Sequence, residues 1–126
     1  MIPFLDLRRR LTRFEPEYLE AVSRVMRSGT LLLGDETSAF EAETSGSLGG
    51  GHVVAVSSGA SAIQLAIEAL GIVAGDEVIV PAFTAVPTVS AVVAAGARPV
   101  IVDIDADTAL IDVAGACGAI GERTKA

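Results

Sequence analysis

The stretch SSGASAIQLAIEALGIVAGDEVIVPAFT, residues 57–84, decides the fold. Its first half carries apolar side chains at Ile63, Leu65, Ile67 and Leu70, which predicts a helix over residues 59–70. Gly71 is the natural stop for that helix, because glycine tolerates the left-handed conformation that ends one. The second half changes period. Glu77-Val78-Ile79-Val80 is short and β-branched, follows the turn residues Gly75-Asp76, and ends at Pro81, so it reads as a buried strand. Working outward, residues 84–95 read as a helix with Pro87 in its first turn, where no intrahelical N–H bond is lost. Residues 99–103 read as another strand, and Asp112 caps a last helix running to residue 120. Upstream, residues 52–57 read as a short buried strand. Strands alternating with helices imply parallel strands joined by right-handed crossovers. The expectation is an α/β fold with three mainly parallel short strands and helices between them.

The first 50 residues follow another pattern. Residues 2–7 read as an extended arm. Pro16 opens a helix, Tyr18, Val22, Val25 and Met26 recur at helical spacing, and Gly29 ends it. A second helix follows Asp35 as its N-cap, ends near Leu48, and is closed by Gly49, Gly50 and Gly51. The chain has 126 residues, the size of one domain, with residues 1–50 as arm and helices and residues 51–126 as the start of an α/β domain. It ends at Thr124-Lys125-Ala126 with no closing element, so a single partial domain is expected.

Apolar residues make up 51% of the chain and aromatics only 4%, a composition for a layered α/β core. The net charge of −7 argues against nucleic acid as a partner. Arg8, Arg9, Arg10 and Arg13 form the single basic cluster, read first as a solvated stretch and second as a contact for an anionic substrate or a neighbouring subunit. Cys117 is the only cysteine, which rules out an intrachain disulfide. In its Ala/Gly-rich setting it is expected to be a small buried filler. The most apolar region, residues 85–102, is interrupted by Pro87, Thr88, Ser90, Arg98 and Pro99 and is no membrane span. No charged-then-apolar leader opens the chain, and a cytoplasmic location is expected.

Ser57-Ser58-Gly59-Ala60-Ser61 is the sharpest chemical feature. A small-residue turn between a strand and a helix offers backbone N–H donors and the positive end of a helix dipole to a phosphate. Neither G-x-G-x-x-G nor G-x-x-x-x-G-K-[ST] is present, so the turn is not a dinucleotide or P-loop fingerprint. Asp103, Asp105 and Asp107 resemble the start of a calcium loop, but Thr108 and Ala114 stand where its glycine and bidentate glutamate belong. His52 is the sole histidine and has no metal-ligand partner at zinc spacing. No metal site is expected.

Several blocks together resemble the DegT/DnrJ/EryC1/StrS sugar-aminotransferase family. They are Ile2-Pro3-Phe4-Leu5-Asp6-Leu7, Ser28-Gly29 through Gly34 with Phe40-Glu41, and Ser57-Ser58-Gly59 with Ala62 and Leu65. Ala69-Leu70-Gly71-Ile72 and Gly75-Asp76-Glu77-Val78-Ile79-Val80-Pro81-Ala82-Phe83-Thr84 follow. Ala95-Gly96-Ala97, Pro99-Val100, Val102-Asp103 and Thr124-Lys125-Ala126 complete the series, in order along nearly the whole chain.

The resemblance implies the N-terminal part of the large domain of a fold-type I transferase that depends on pyridoxal 5′-phosphate (PLP). It implies transfer of an amino group from an amino acid, usually glutamate, to a keto-sugar nucleotide, in a homodimer. Gly59, Ala60 and Ser61 match the turn that holds the cofactor phosphate. Ala85 matches a position that usually carries an aromatic stacked on the cofactor ring, and Ala60 one that is commonly Thr. The family's Schiff-base lysine and the Asp that pairs with the cofactor nitrogen lie beyond residue 126, and Lys125 matches a non-catalytic position. No catalytic residue is therefore expected within the chain, which should be inactive alone. The alternatives are a small Rossmann-like module that binds a phosphate ligand without catalysis, and a segment that only dimerises.

Overall fold

The computed structural model describes residues 4–126, which form two compact units, one up to Ala55 and one from Val56 to Ala126. In the first unit, α1 (Leu7–Thr12) is capped by Asp6, whose carboxylate accepts the Arg9 N–H at 2.9 Å. The expected arm is corrected here: a helix begins at Leu7, because an aspartate followed by good helix formers is a start signal. Residues 2 and 3 of that arm lie outside the described residues. Helix α2 (Glu15–Ser28) has Pro16 in its first turn and ends at Gly29 with φ 72°, a left-handed stop. Helix α3 (Asp35–Ser47) is preceded by Gly34 as N-cap, so Asp35 is the first helical residue rather than the cap. The Arg24 side chain ties α2 to α3 by donating to Glu36 at 2.7 Å. That hydrogen bond holds the Glu36 carboxyl below its usual range and raises the arginine. No residue of α1, α2 or α3 is buried.

The second unit runs α4 (Gly59–Ala69), β1 (Glu77–Pro81), α5 (Val86–Ala94), β2 (Arg98–Val102) and α6 (Val113–Gly118). Strands β1 and β2 pair in parallel from Glu77↔Arg98 to Pro81↔Val102. The expected strand over residues 52–57 does not form. A strand needs a neighbour to take its N–H and C=O groups, and none stands beside it among the described residues. The Ala55 N–H instead donates to the Glu41 carboxylate at 2.7 Å. The last two expected strands therefore pair with each other and not with residues 52–57.

The other edge of β1 is occupied by the end of the chain. Glu77 donates to the Arg123 carbonyl (2.8 Å), Lys125 donates to the Glu77 carbonyl (2.9 Å), and Ile79 donates to the Ala126 carbonyl (2.8 Å). Thr124 bridges Glu77 in parallel. Lys125 is thus a backbone partner in the ladder. Cys117 is exposed, not a buried filler. Its short helix α6 leaves that position on the solvent side.

Helices α4 and α5 pack on each other over the sheet, and both end in the same way. The Gly71 N–H donates to Glu68 and the Ile72 N–H to Ile67; the Gly96 N–H donates to Val93 and the Ala97 N–H to Val92. Each is a Schellman closure with a left-handed glycine, φ 71° at Gly71 and 83° at Gly96. The residue after each glycine is buried against the helix it has just left: Ile72 with Ile67, and Ala97 with Val92. Val78 and Val80 of β1 complete this core, with Ile63 and Val89 at its margin. Each closure turns the chain into the next strand with its apolar face already inward.

Candidate functional site

Because α5 joins two parallel strands, it runs against them, and its amino end lies at the carboxyl end of β1. Helix α4 feeds β1 through the short connection at residues 70–76, so its amino end lies at that same edge. In open α/β sheets ligands bind outside the carboxyl ends of the strands. Two helix amino termini at this edge add positive partial charge to it.

At α4 the geometry can be followed donor by donor. Ser58, extended at φ −160° and ψ 159°, is the N-cap. Its Oγ accepts the Ser61 N–H at 3.1 Å and lies 3.0 Å from the Ser61 Oγ. The Ser58 carbonyl accepts the Ala62 N–H at 3.0 Å. The N–H groups of Gly59 and Ala60 have no acceptor among the described residues, as expected of the first residues of a helix. Gly59 is exposed, and a Cβ built on it meets nothing within 4 Å. The open approach and the two free amides suit an anion with several oxygens, such as a phosphate monoester.

Sequence reading matched Gly59, Ala60 and Ser61 to the phosphate turn and gave Ser58 no role in it. It is Ser58 that satisfies the Ser61 amide, so the open amides are those of Gly59 and Ala60. The signal was present: a Ser immediately before a helical run is an N-cap signature.

Ala85 is the N-cap residue of α5, exposed and extended at φ −69° and ψ 144°. With Ala82, Thr84, Val89 and Val93 it lines a shallow depression of about 470 Å³. The Thr84 and Thr88 hydroxyls lie 2.9 Å apart beside it. Ala85 therefore offers an apolar floor with room for a ring and no aromatic of its own. Lys125, by contrast, pairs with Glu77 at the amino end of β1, the far end of the strand from Ala85.

No cluster able to hold a metal ion occurs among the described residues, and no described helix is long and apolar enough to cross a membrane. The acidic loop after β2 spends its charge on itself. Asp105 Oδ1 accepts the Thr108 hydroxyl (2.9 Å) and the Thr108 N–H (2.8 Å), bonds that hold its carboxyl below the usual range. This is a side-chain-stabilised turn.

The model of the DegT/DnrJ/EryC1/StrS aminotransferase family matches residues 13–126. A UDP-N-acetyl-3-dehydro-alpha-D-glucosamine 3-aminotransferase of Acidithiobacillus ferrooxidans is 42% identical over 99% of the chain and 34% of its own length. Among solved structures, DesV of Streptomyces venezuelae in complex with a ketimine intermediate has a TM-score of 0.92. It shares 43% identity over 98% of this chain and 33% of its own. NtdA of Bacillus subtilis with bound cofactor PMP has a TM-score of 0.89 and 38% identity, over 98% of this chain and 29% of its own. The chain spans about a third of the length of the curated relatives it matches. At these identities the likeness carries the fold: the α/β arrangement is that of the corresponding part of these aminotransferases, as the resemblance implied.

Proposed function

Since the chain belongs to the DegT/DnrJ/EryC1/StrS aminotransferase family, we propose that it forms the phosphate-gripping part of a PLP-dependent aminotransferase acting on a keto-sugar nucleotide. The amino donor in this reading is an amino acid, glutamate first, and the complete enzyme is a cytoplasmic homodimer. Residues 51–126 begin the cofactor-binding large domain, and residues 1–50 form the arm and helices before it.

One observation carries the reading: the N–H groups of Gly59 and Ala60 at the amino end of α4, which have no acceptor among the described residues, beside an open approach. When bound, PLP supplies the electron sink for amino transfer, and the protein supplies its placement. Gly59 and Ala60 donate to the phosphate, and the helix dipole favours its charge. Ser61 offers its hydroxyl, shared with Ser58. Ala85 lies under the ring and excludes water by its apolar surface without gripping. No group in the chain is assigned proton transfer, so activity belongs to an assembly that includes more than these residues.

The test is a titration of the chain with PLP and, separately, with nucleotides, followed by amide chemical shifts. PLP should move the Gly59 and Ala60 amides saturably, and inorganic phosphate should compete. Shifts produced by nucleotides but not by PLP would instead establish the small phosphate-ligand module. No shift at either amide with any phosphate would remove the site.

A further inference from the structure

Glu77 is the one charged residue found buried among the described residues, 8% exposed at the start of β1. Two guanidinium groups converge on a single oxygen of its carboxylate. Arg98, the first residue of β2, reaches Oε1 at 3.0 Å, and Arg123, just before the chain's last residues, reaches it at 3.1 Å. The backbone of Glu77 is bonded on the same side, donating to the Arg123 carbonyl and accepting from the Lys125 N–H. The Arg98 N–H donates to the Asp76 carbonyl. One carboxylate therefore sits where three parallel segments begin.

A desolvated carboxylate is costly unless it is paired, and removing one partner of a buried pair strands the charge. Here both arginine side chains stay mostly in water, 64% and 67% exposed, so they pair with the carboxylate without being desolvated themselves. Apolar burial cannot do the same work at residues 123–126. Thr124 is half-buried, while Arg123, Lys125 and Ala126 are exposed.

We propose that Glu77 is the latch that docks residues 123–126 onto β1 as a third parallel strand, through Arg123, and sets their register against β2 through Arg98. The latch lies at the amino end of the sheet, away from the Gly59 turn, and its role does not depend on what that turn binds.

Amide hydrogen exchange in the full chain separates latch from general stabiliser. The Ile79 and Lys125 N–H groups report the docked segment, because their acceptors are Ala126 and Glu77. The Ala82 N–H, bonded to Val102, reports the pairing of β1 with β2. Glu77→Gln should speed exchange at Ile79 and Lys125 by roughly tenfold while leaving Ala82 within about twofold, since local openings need not follow global unfolding. Arg123→Ala removes an exposed side chain, cannot disturb the core, and should give the same pattern. Equal acceleration at all three amides in Arg123→Ala, no acceleration in either variant, or an unprotected Lys125 amide in the unsubstituted chain would each overturn the proposal.

Discussion

Ser58 and the two residues after it divide the work at the head of α4. Ser58 closes the Ser61 amide, and Gly59 and Ala60 keep theirs open. A phosphate arriving here meets two backbone donors and one hydroxyl already engaged with its neighbour. The Ala60 side chain adds no donor beyond its backbone N–H, and Ala85 adds no stacking surface. Both gaps can be filled in a chimera that carries the rest of a family relative. Ala60→Thr should tighten PLP binding, because a hydrogen bond to a charged group is worth about 1.5–3 kcal/mol. Ala85→Phe should tighten it too, since stacking adds about 0.5–1.5 kcal/mol beyond area burial. One change grips the phosphate and the other the ring, so the double variant should come close to the sum. Equilibrium PLP affinity for the parent, both single variants and the double measures this. Failure of both single variants to tighten binding would move the cofactor away from these two positions.

At the level of elements, the helix-to-strand joints do most to fix the fold. Gly71 and Gly96 each hold a left-handed φ that closes a helix and aims the following apolar residue back at it. A Cβ at Gly96 meets nothing within 4 Å, so the cost of Gly96→Ala is conformational and not steric crowding. Left-handed backbone costs a non-glycine residue roughly 1–2 kcal/mol, and Gly96→Ala should lose about that much stability in chemical denaturation. A loss near zero would mean that the joint relaxes into another turn. These joints were legible in the sequence because glycine and apolar periodicity are local signals: α2, α4, β1, α5 and β2 fall within a residue or two of where the pattern puts them. Residues 52–57 were misread for the opposite reason. Val53, Val54 and Val56 favour a strand, but a strand is a relation between segments, and no local pattern supplies the neighbour. The third edge, residues 123–126, was missed likewise, since its place depends on Glu77, 46 positions upstream of Arg123 by their numbers. The Gly59 turn could be located by motif, but the division of its donors depends on where Ser58 Oγ points.

Across the molecule, burial is distributed very unevenly. Among the described residues, the eight buried apolar ones, Ile67, Ile72, Val78, Val80, Ala91, Val92, Ala97 and Val102, all belong to the unit from Val56 to Ala126. The unit up to Ala55 has helices whose apolar residues face water, among them Tyr18 at 53%, Val22 at 55% and Met26 at 71% exposure. Ordering a residue costs roughly 1–2 kcal/mol of backbone entropy, and little in the first unit offsets it beyond helix hydrogen bonds and the solvent-screened Arg24–Glu36 pair. Exposed apolar faces on this scale also favour self-association, so the measurement belongs at low protein concentration. The chain contains one tyrosine, Tyr18, and no tryptophan, so its intrinsic fluorescence under selective excitation reports the first unit alone. The Val92 amide, in the most buried part of α5, reports the second. In a urea titration the Tyr18 signal should change first, while Val92 keeps its protection from exchange until higher urea. The separation follows from the absence of any buried residue in α1–α3 and from the dense cluster around Val92. Coincident transitions for the two probes would show that the units fold as one, and that burial within each does not set its stability.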